Sequence, residues 1–70
     1  MRKTIVVSET VVTSIEPKRV VRQADECLLS IRVVESRKES TNWIHEYEVT
    51  GEPGKIEKFL ARIRDIEHPH

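Results

Sequence analysis

The residues with the best claim to chemistry lie in one alternating run, Trp43-Ile44-His45-Glu46-Tyr47-Glu48-Val49. If this run is a strand, His45 shares a face with Trp43 and Tyr47. Histidine ordinarily titrates near neutral pH, so His45 can act as a ligand contact or a protonation switch. The plainer expectation is a half-buried sheet residue stacked among aromatics. Glu46 and Glu48 share the opposite face. Paired carboxylates do acid–base work when their surroundings push their pKa values apart; solvated strand residues facing Arg32 or lysines would not. They point away from His45, so the three form no constellation.

Other candidates are weaker. Gly51-Glu52-Pro53-Gly54 holds both glycines of the chain and precedes an apolar helical pattern. A helix N-terminus can hold an anion, but the segment lacks the phosphate-loop pattern and Glu52 would repel phosphate. Cys27 is the only cysteine, so no disulfide forms within the chain; beside Ala24 and Leu28 it reads as core filling. Cys27, His45, His68 and His70 lack the paired spacing of a zinc site. His68 and His70 flank Pro69 in a polar tail, and the serines have no identifiable His/Asp set. No catalytic residue, metal site or cofactor is assigned. The ligand-binding set, if the chain has one, is His45, Trp43, Tyr47, Gly51 and Gly54.

Charge narrows the classes of partner. Twelve Lys and Arg balance twelve Asp and Glu. Nonspecific nucleic-acid binding relies on a basic excess that neutralises phosphates, and none exists here. An interface of that kind would have to gather Arg2, Lys3, Arg19 and Arg22 into one patch on dimerisation. The apolar stretch after Met1-Arg2-Lys3 is too short for a secretory core or a membrane span, so a cytoplasmic location is the default.

The elements that position these residues follow from pattern. Residues 4–13 are rich in β-branched side chains, which suit a pleated surface. Ile5, Val7 and Val11 share one phase and Val6 and Val12 the other, so one long strand with a bulge near Ser8-Glu9 is expected. Pro17 suits a first helical turn, with Ser14 or Glu16 as cap. Val20, Val21, Ala24, Cys27 and Leu28 recur at helical spacing, giving a helix over 17–27. Leu29, Ile31 and Val33 alternate within a strand over 28–37, and the polar segment 35–42 reads as the hairpin connection. Residues 43–50 form the next strand. Ile56, Phe59, Leu60 and Ile63 make the stripe of the second helix, with Ile66 continuing it.

The predicted class is α+β, ferredoxin-like in its β-α-β-β-α order with the final strand missing: an antiparallel-rich sheet with both helices on one face. One domain over 1–67 and a tail at 68–70 account for the chain. A domain of this size buries only about 60% of the surface its unfolded chain exposes. Its core leaves about 3–5 kcal/mol of net stability. Strand 4–13 keeps a free edge poor in charge, and such an edge pairs readily.

The stretch Tyr47-Glu48-Val49-Thr50-Gly51-Glu52-Pro53-Gly54-Lys55-Ile56-Glu57-Lys58-Phe59-Leu60 resembles the strand-to-helix passage of ACT-like regulatory domains, and is similar to small subunits of acetolactate synthase in its Val-Thr-Gly, Lys-Ile and Phe-Leu. The resemblance implies a ferredoxin-like fold, association through sheets, and a small effector held at a domain interface. Two features depart from that pattern: Thr13-Ser14-Ile15-Glu16-Pro17 has no glycine where effector loops typically lie, and the last strand is missing. The resulting expectation is a non-enzymatic, self-associating regulatory domain that forms homo-oligomers through strand 4–13. The alternative is a nucleic-acid-associated accessory protein using Arg2, Lys3, Arg19 and Arg22.

Overall fold

The computed structural model describes residues 5–68. It is a small α+β domain of three antiparallel strands and two helices: β1 (Val7–Thr13), α1 (Pro17–Glu26), β2 (Ser30–Glu39), β3 (Asn42–Gly51) and α2 (Pro53–Glu67). The sheet order is β1-β3-β2. β3 therefore lies between the two strands joined by α1, and β1 and β2 run in the same direction on either side of it.

Alternation decides which face meets the helices. Val11 and Thr13 of β1 and Tyr47 and Val49 of β3 are buried beneath α1 and α2, with Leu29 at the approach to β2. From the helices come Val20 and Ala24 of α1, and Ile56, Phe59 and Ile63 of α2; Ile15 and Cys27 close the core. Across the helices, Arg62 Nη1 donates to Glu26 at 2.9 Å. On the other face Ser8, Thr10 and Val12 are exposed, and no helix covers them.

Both helices begin at proline, and neither uses a side-chain cap. Glu16 and Glu52 are the N-cap residues, and the carbonyls of both accept the first helical N–H bonds. The cap role expected of Glu16 is thus a backbone one. α1 ends in a Schellman turn: Leu29 N donates to Ala24 O at 2.9 Å and Leu28 N to Asp25 O at 3.1 Å. The turn requires a left-handed residue, and the chain supplies Leu28 (φ 59°) in place of the usual glycine.

Three expectations are corrected. β1 spans Val7–Thr13, not 4–13; Ile5 and Val6 precede it and Thr4 lies outside the described residues. Its register with β3 is unbroken from Val7↔Gly51 to Thr13↔His45, so the bulge near Ser8-Glu9 does not form. The irregularity lies instead in β2, between Val33 and Glu35, where the extra residue is Val34. The hairpin connection is not 35–42 but the two residues Ser40-Thr41, with Ser40 at φ 56°. Polar residues can extend a hairpin when each has a cross-strand or same-face partner. Arg37 sits between Glu35 and Glu39 at 3.0 and 2.9 Å, and both carboxylates raise its pKa, Glu39 most. β2 is exposed from Arg32 onward, so the outer hairpin stands clear of the core as an arm about 20 Å long. The molecule is accordingly elongated, 50 Å in its longest dimension.

α2 runs to Glu67, His68 N donates to Arg64 O at 2.9 Å, and Pro69 and His70 lie outside the described residues. No helix among the described residues is long and apolar enough to cross a membrane.

Candidate functional site

β3 carries Trp43 and His45 beside the loop between β1 and α1. The rings of Trp43 and His45 are parallel to within 6°, with centroids 6.4 Å apart. His45 and Tyr47 are 6.1 Å apart and tilted by 49°. Both pairs fall within the range of favourable aromatic contact. The bulge at Val34 resets the register so that Ser36 lies opposite His45, and Ser36 Oγ and His45 Nδ1 are 2.8 Å apart. Beside these residues is an open depression of about 540 Å³, lined by Ser14, Glu16, Ser36, Thr41, Asn42, Trp43 and His45.

The loop wall is held from beneath. Tyr47 is fully buried, and its hydroxyl donates to Ile15 O at 3.2 Å. Burial raises the Tyr47 pKa above its ordinary value. Ile15 N donates to Thr13 Oγ1 at 3.2 Å, and the same hydroxyl donates to Glu67 Oε2 at 2.6 Å. The chain from β3 through the loop to α2 fixes Ser14–Glu16 between two depressions. The second, of about 640 Å³, is lined by Ser14, Ile15, Glu16, Arg19, Ile66, Glu67 and His68.

Of the expected ligand-binding residues, the structure brings Trp43 and His45 together at the first depression and puts Tyr47 underneath as a support. Gly51 and Gly54 lie elsewhere. Five residues of β3 lie between His45 and Gly51, a separation of about 20 Å. A Cβ on Gly51 would collide with Leu29 Cδ2, which gives this glycine a packing role. Gly54 has open space around it. The N-terminus of α2 is already served by the protein's own charge, since Glu52 pairs with Lys55 Nζ at 2.7 Å.

The remaining candidates sort plainly. Arg32 Nε donates to Glu48 Oε1 at 2.8 Å on the uncovered face, and that carboxylate raises the Arg32 pKa. Cys27 is buried. Among the described residues no three His, Cys, Asp or Glu side chains gather as a metal cluster would. Arg2 and Lys3 lie outside the described residues. Arg22 pairs with Glu26 at 3.6 Å, and Arg19 borders the second depression together with Glu16 and Glu67.

The pairing of a serine hydroxyl with an imidazole is half of a nucleophile, and the other half is not in place. No carboxylate bonds His45 Nε2 among the described residues, since Ser36 is the one hydrogen-bond partner of this ring. Sequence reasoning missed Ser14, Glu16, Ser36, Thr41 and Asn42 as lining residues. Ser36 and Asn42 fell in the stretch read as a loop, and Glu16 comes to line the same depression as Trp43 only through tertiary packing.

No protein-family model matches the chain, and no curated protein or solved structure shows significant similarity to it.

Proposed function

We propose that this chain is a non-enzymatic, self-associating regulatory domain whose copies join edge to edge through β1, with the depression at the β1–α1 loop receiving a small effector. The observation that carries the reading is the outer edge of β1, which no strand pairs among the described residues. Along that edge Val12 is 54% exposed, and Val6 just before it 57%. Unpaired backbone N–H and C=O groups beside exposed β-branched residues form a template for another strand. The edge carries one charged side chain, Glu9, so repulsion offers little protection.

The finer fold belongs to the same reading. The β-α-β-β-α order and the β1-β3-β2 sheet agree with a ferredoxin-like arrangement in which the position beside β1 is open to a strand from another copy. Antiparallel pairing centred on Thr10 would lay the start of one β1 beside Thr13 of the other. That puts the loop Ser14–Glu16, and with it the depression, next to the subunit boundary. Effector loops of ACT-like domains lie between the same two elements, which supports a sensing role. A lone, buried cysteine agrees with a cytoplasmic setting.

Light scattering over a concentration series tests the association. The wild-type chain is expected to hold as a dimer or larger species at micromolar concentration. Thr10→Lys, an exposed change that sets two ammonium groups together at the proposed axis, should weaken association at least about tenfold, an energy of about 1.4 kcal/mol. A wild-type monomer, or a Thr10→Lys chain that associates equally well, would remove the edge-pairing reading.

A further inference from the structure

We infer that the depression beside Trp43 takes a small planar cation of the guanidinium class, stacked on the indole and held by the Glu16 carboxylate. This rests on the reading of the depression as an effector site and adds the chemistry of the ligand.

Trp43 is the starting point. It is 53% exposed, whereas Tyr47 and Phe59, the only tyrosine and phenylalanine, are fully buried. The face of an indole carries negative potential and attracts cations, more strongly than the other aromatic side chains do. The parallel His45 ring backs this platform, and the bond between its Nδ1 and Ser36 anchors that ring in turn. A platform fixed in advance loses little freedom on binding.

Charge then selects the ligand. Among the described residues Glu16 is the one carboxylate lining this depression, and no lysine or arginine lines it. Glu16 makes no side-chain cap bond and takes part in no ion pair among the described residues. A carboxylate free of ion pairs among the described residues, lining the same depression as an exposed indole, repels anions, which disfavours a phosphate-bearing ligand. It also leaves a neutral apolar ligand without a polar anchor. A cation satisfies both groups at once.

Shape separates one cation from another. A guanidinium is flat, stacks on aromatic faces and presents paired N–H donors to a carboxylate. An alkylammonium is a compact, strongly hydrated point charge that does neither. The hydroxyls of Ser14 and Ser36 and the side-chain carbonyl of Asn42 are acceptors for the remaining N–H groups. A volume of about 540 Å³ suits a small molecule.

The chain holds a single tryptophan, so its intrinsic fluorescence reports on this site alone. Titration with agmatine at low salt should give a saturable change with a midpoint of about 10 mM or below. Cadaverine, an amine of similar length, should bind about tenfold more weakly. Glu16→Gln, an exposed and nearly isosteric change, should also weaken agmatine about tenfold. Absence of a saturable response, or equal affinity for cadaverine or in Glu16→Gln, would overturn the inference. A Gly-Gly-Arg-Gly-Gly peptide that bound more than about tenfold tighter than agmatine would overturn the small-molecule assignment in favour of a polypeptide arginine. Light scattering on the same samples keeps the two readings apart. Dimers that ignore agmatine overturn the guanidinium site and leave association standing; monomers that bind it uphold the site and remove association.

Discussion

Replacing Tyr47 by phenylalanine tests the support beneath the loop, because it removes one oxygen from a fully buried ring and nothing else. That oxygen donates to Ile15 O at 3.2 Å, and Ile15 is itself buried. The variant keeps the apolar contacts of the ring and leaves a buried carbonyl short of a partner, a loss of about 1.5 kcal/mol. For a domain this small that lowers the Tm by about 6 to 12 °C. It is also a large part of the stability, about 3–5 kcal/mol, that such a core supplies. The pH dependence makes the test specific. Burial raises the Tyr47 pKa in the folded chain, while the unfolded tyrosine titrates near pH 10. Between those two values the unfolded chain releases a proton that the folded chain keeps, so stability falls as pH rises, by up to about 1.4 kcal/mol per pH unit. The phenylalanine variant has no such proton to lose, and the lysines common to both chains cancel. Wild type should therefore lead by about 1.5 kcal/mol at pH 8, and the lead should narrow as pH rises above 10. Urea unfolding at one fixed protein concentration, repeated across this range, measures both effects. Equal stabilities at pH 8, or pH profiles that stay parallel through pH 11, would refute the claim that this hydroxyl is sequestered and holds the loop.

Two further substitutions probe the joints of the frame. Leu28 occupies the left-handed position of the α1 Schellman turn at φ 59° and is 75% exposed, so Leu28→Gly relieves backbone strain at little packing loss. It should raise stability by about 1 kcal/mol, read as a rise in Tm that Leu28→Ala does not reproduce. Gly51→Ala has the opposite sign: the added methyl meets Leu29 Cδ2, and moving that buried side chain costs about 1–3 kcal/mol. A neutral Gly51→Ala in thermal unfolding would show that Leu29 has another place to go.

Local periodicity made much of the fold legible. The stripe Ile56, Phe59, Leu60 and Ile63 is buried at three positions and partly buried at Leu60, while of the phase Trp43, His45, Tyr47 and Val49 only Tyr47 and Val49 are buried and Trp43 is exposed. Pro17 marks the start of α1 because a residue without an N–H donor suits a first turn. Composition likewise framed Cys27 as core filling, and it is buried. These features depend on neighbours within a turn or two of the chain, so a single sequence contains them.

What extends β2 and β3 into an arm is not a local preference. The segment from Glu35 to Asn42 is polar throughout and looks like a loop; it becomes strand because Arg37 pairs with Glu35 and Glu39, and Ser36 with His45, once the strands are in register. The register itself turns on the extra residue at Val34, whose presence no run of alternating residues announces. The candidate site depends on the same two facts. Sequence alone determined that Trp43, His45 and Tyr47 share one face of a strand. Tertiary structure decided that Tyr47 is buried under the loop, that Gly51 and Gly54 lie far away, and that Glu16 stands across a depression from Trp43. Side-chain phase is a property of the chain's own pitch, whereas the shared depression of Glu16 and Trp43 depends on where a loop and an arm come to rest against one core.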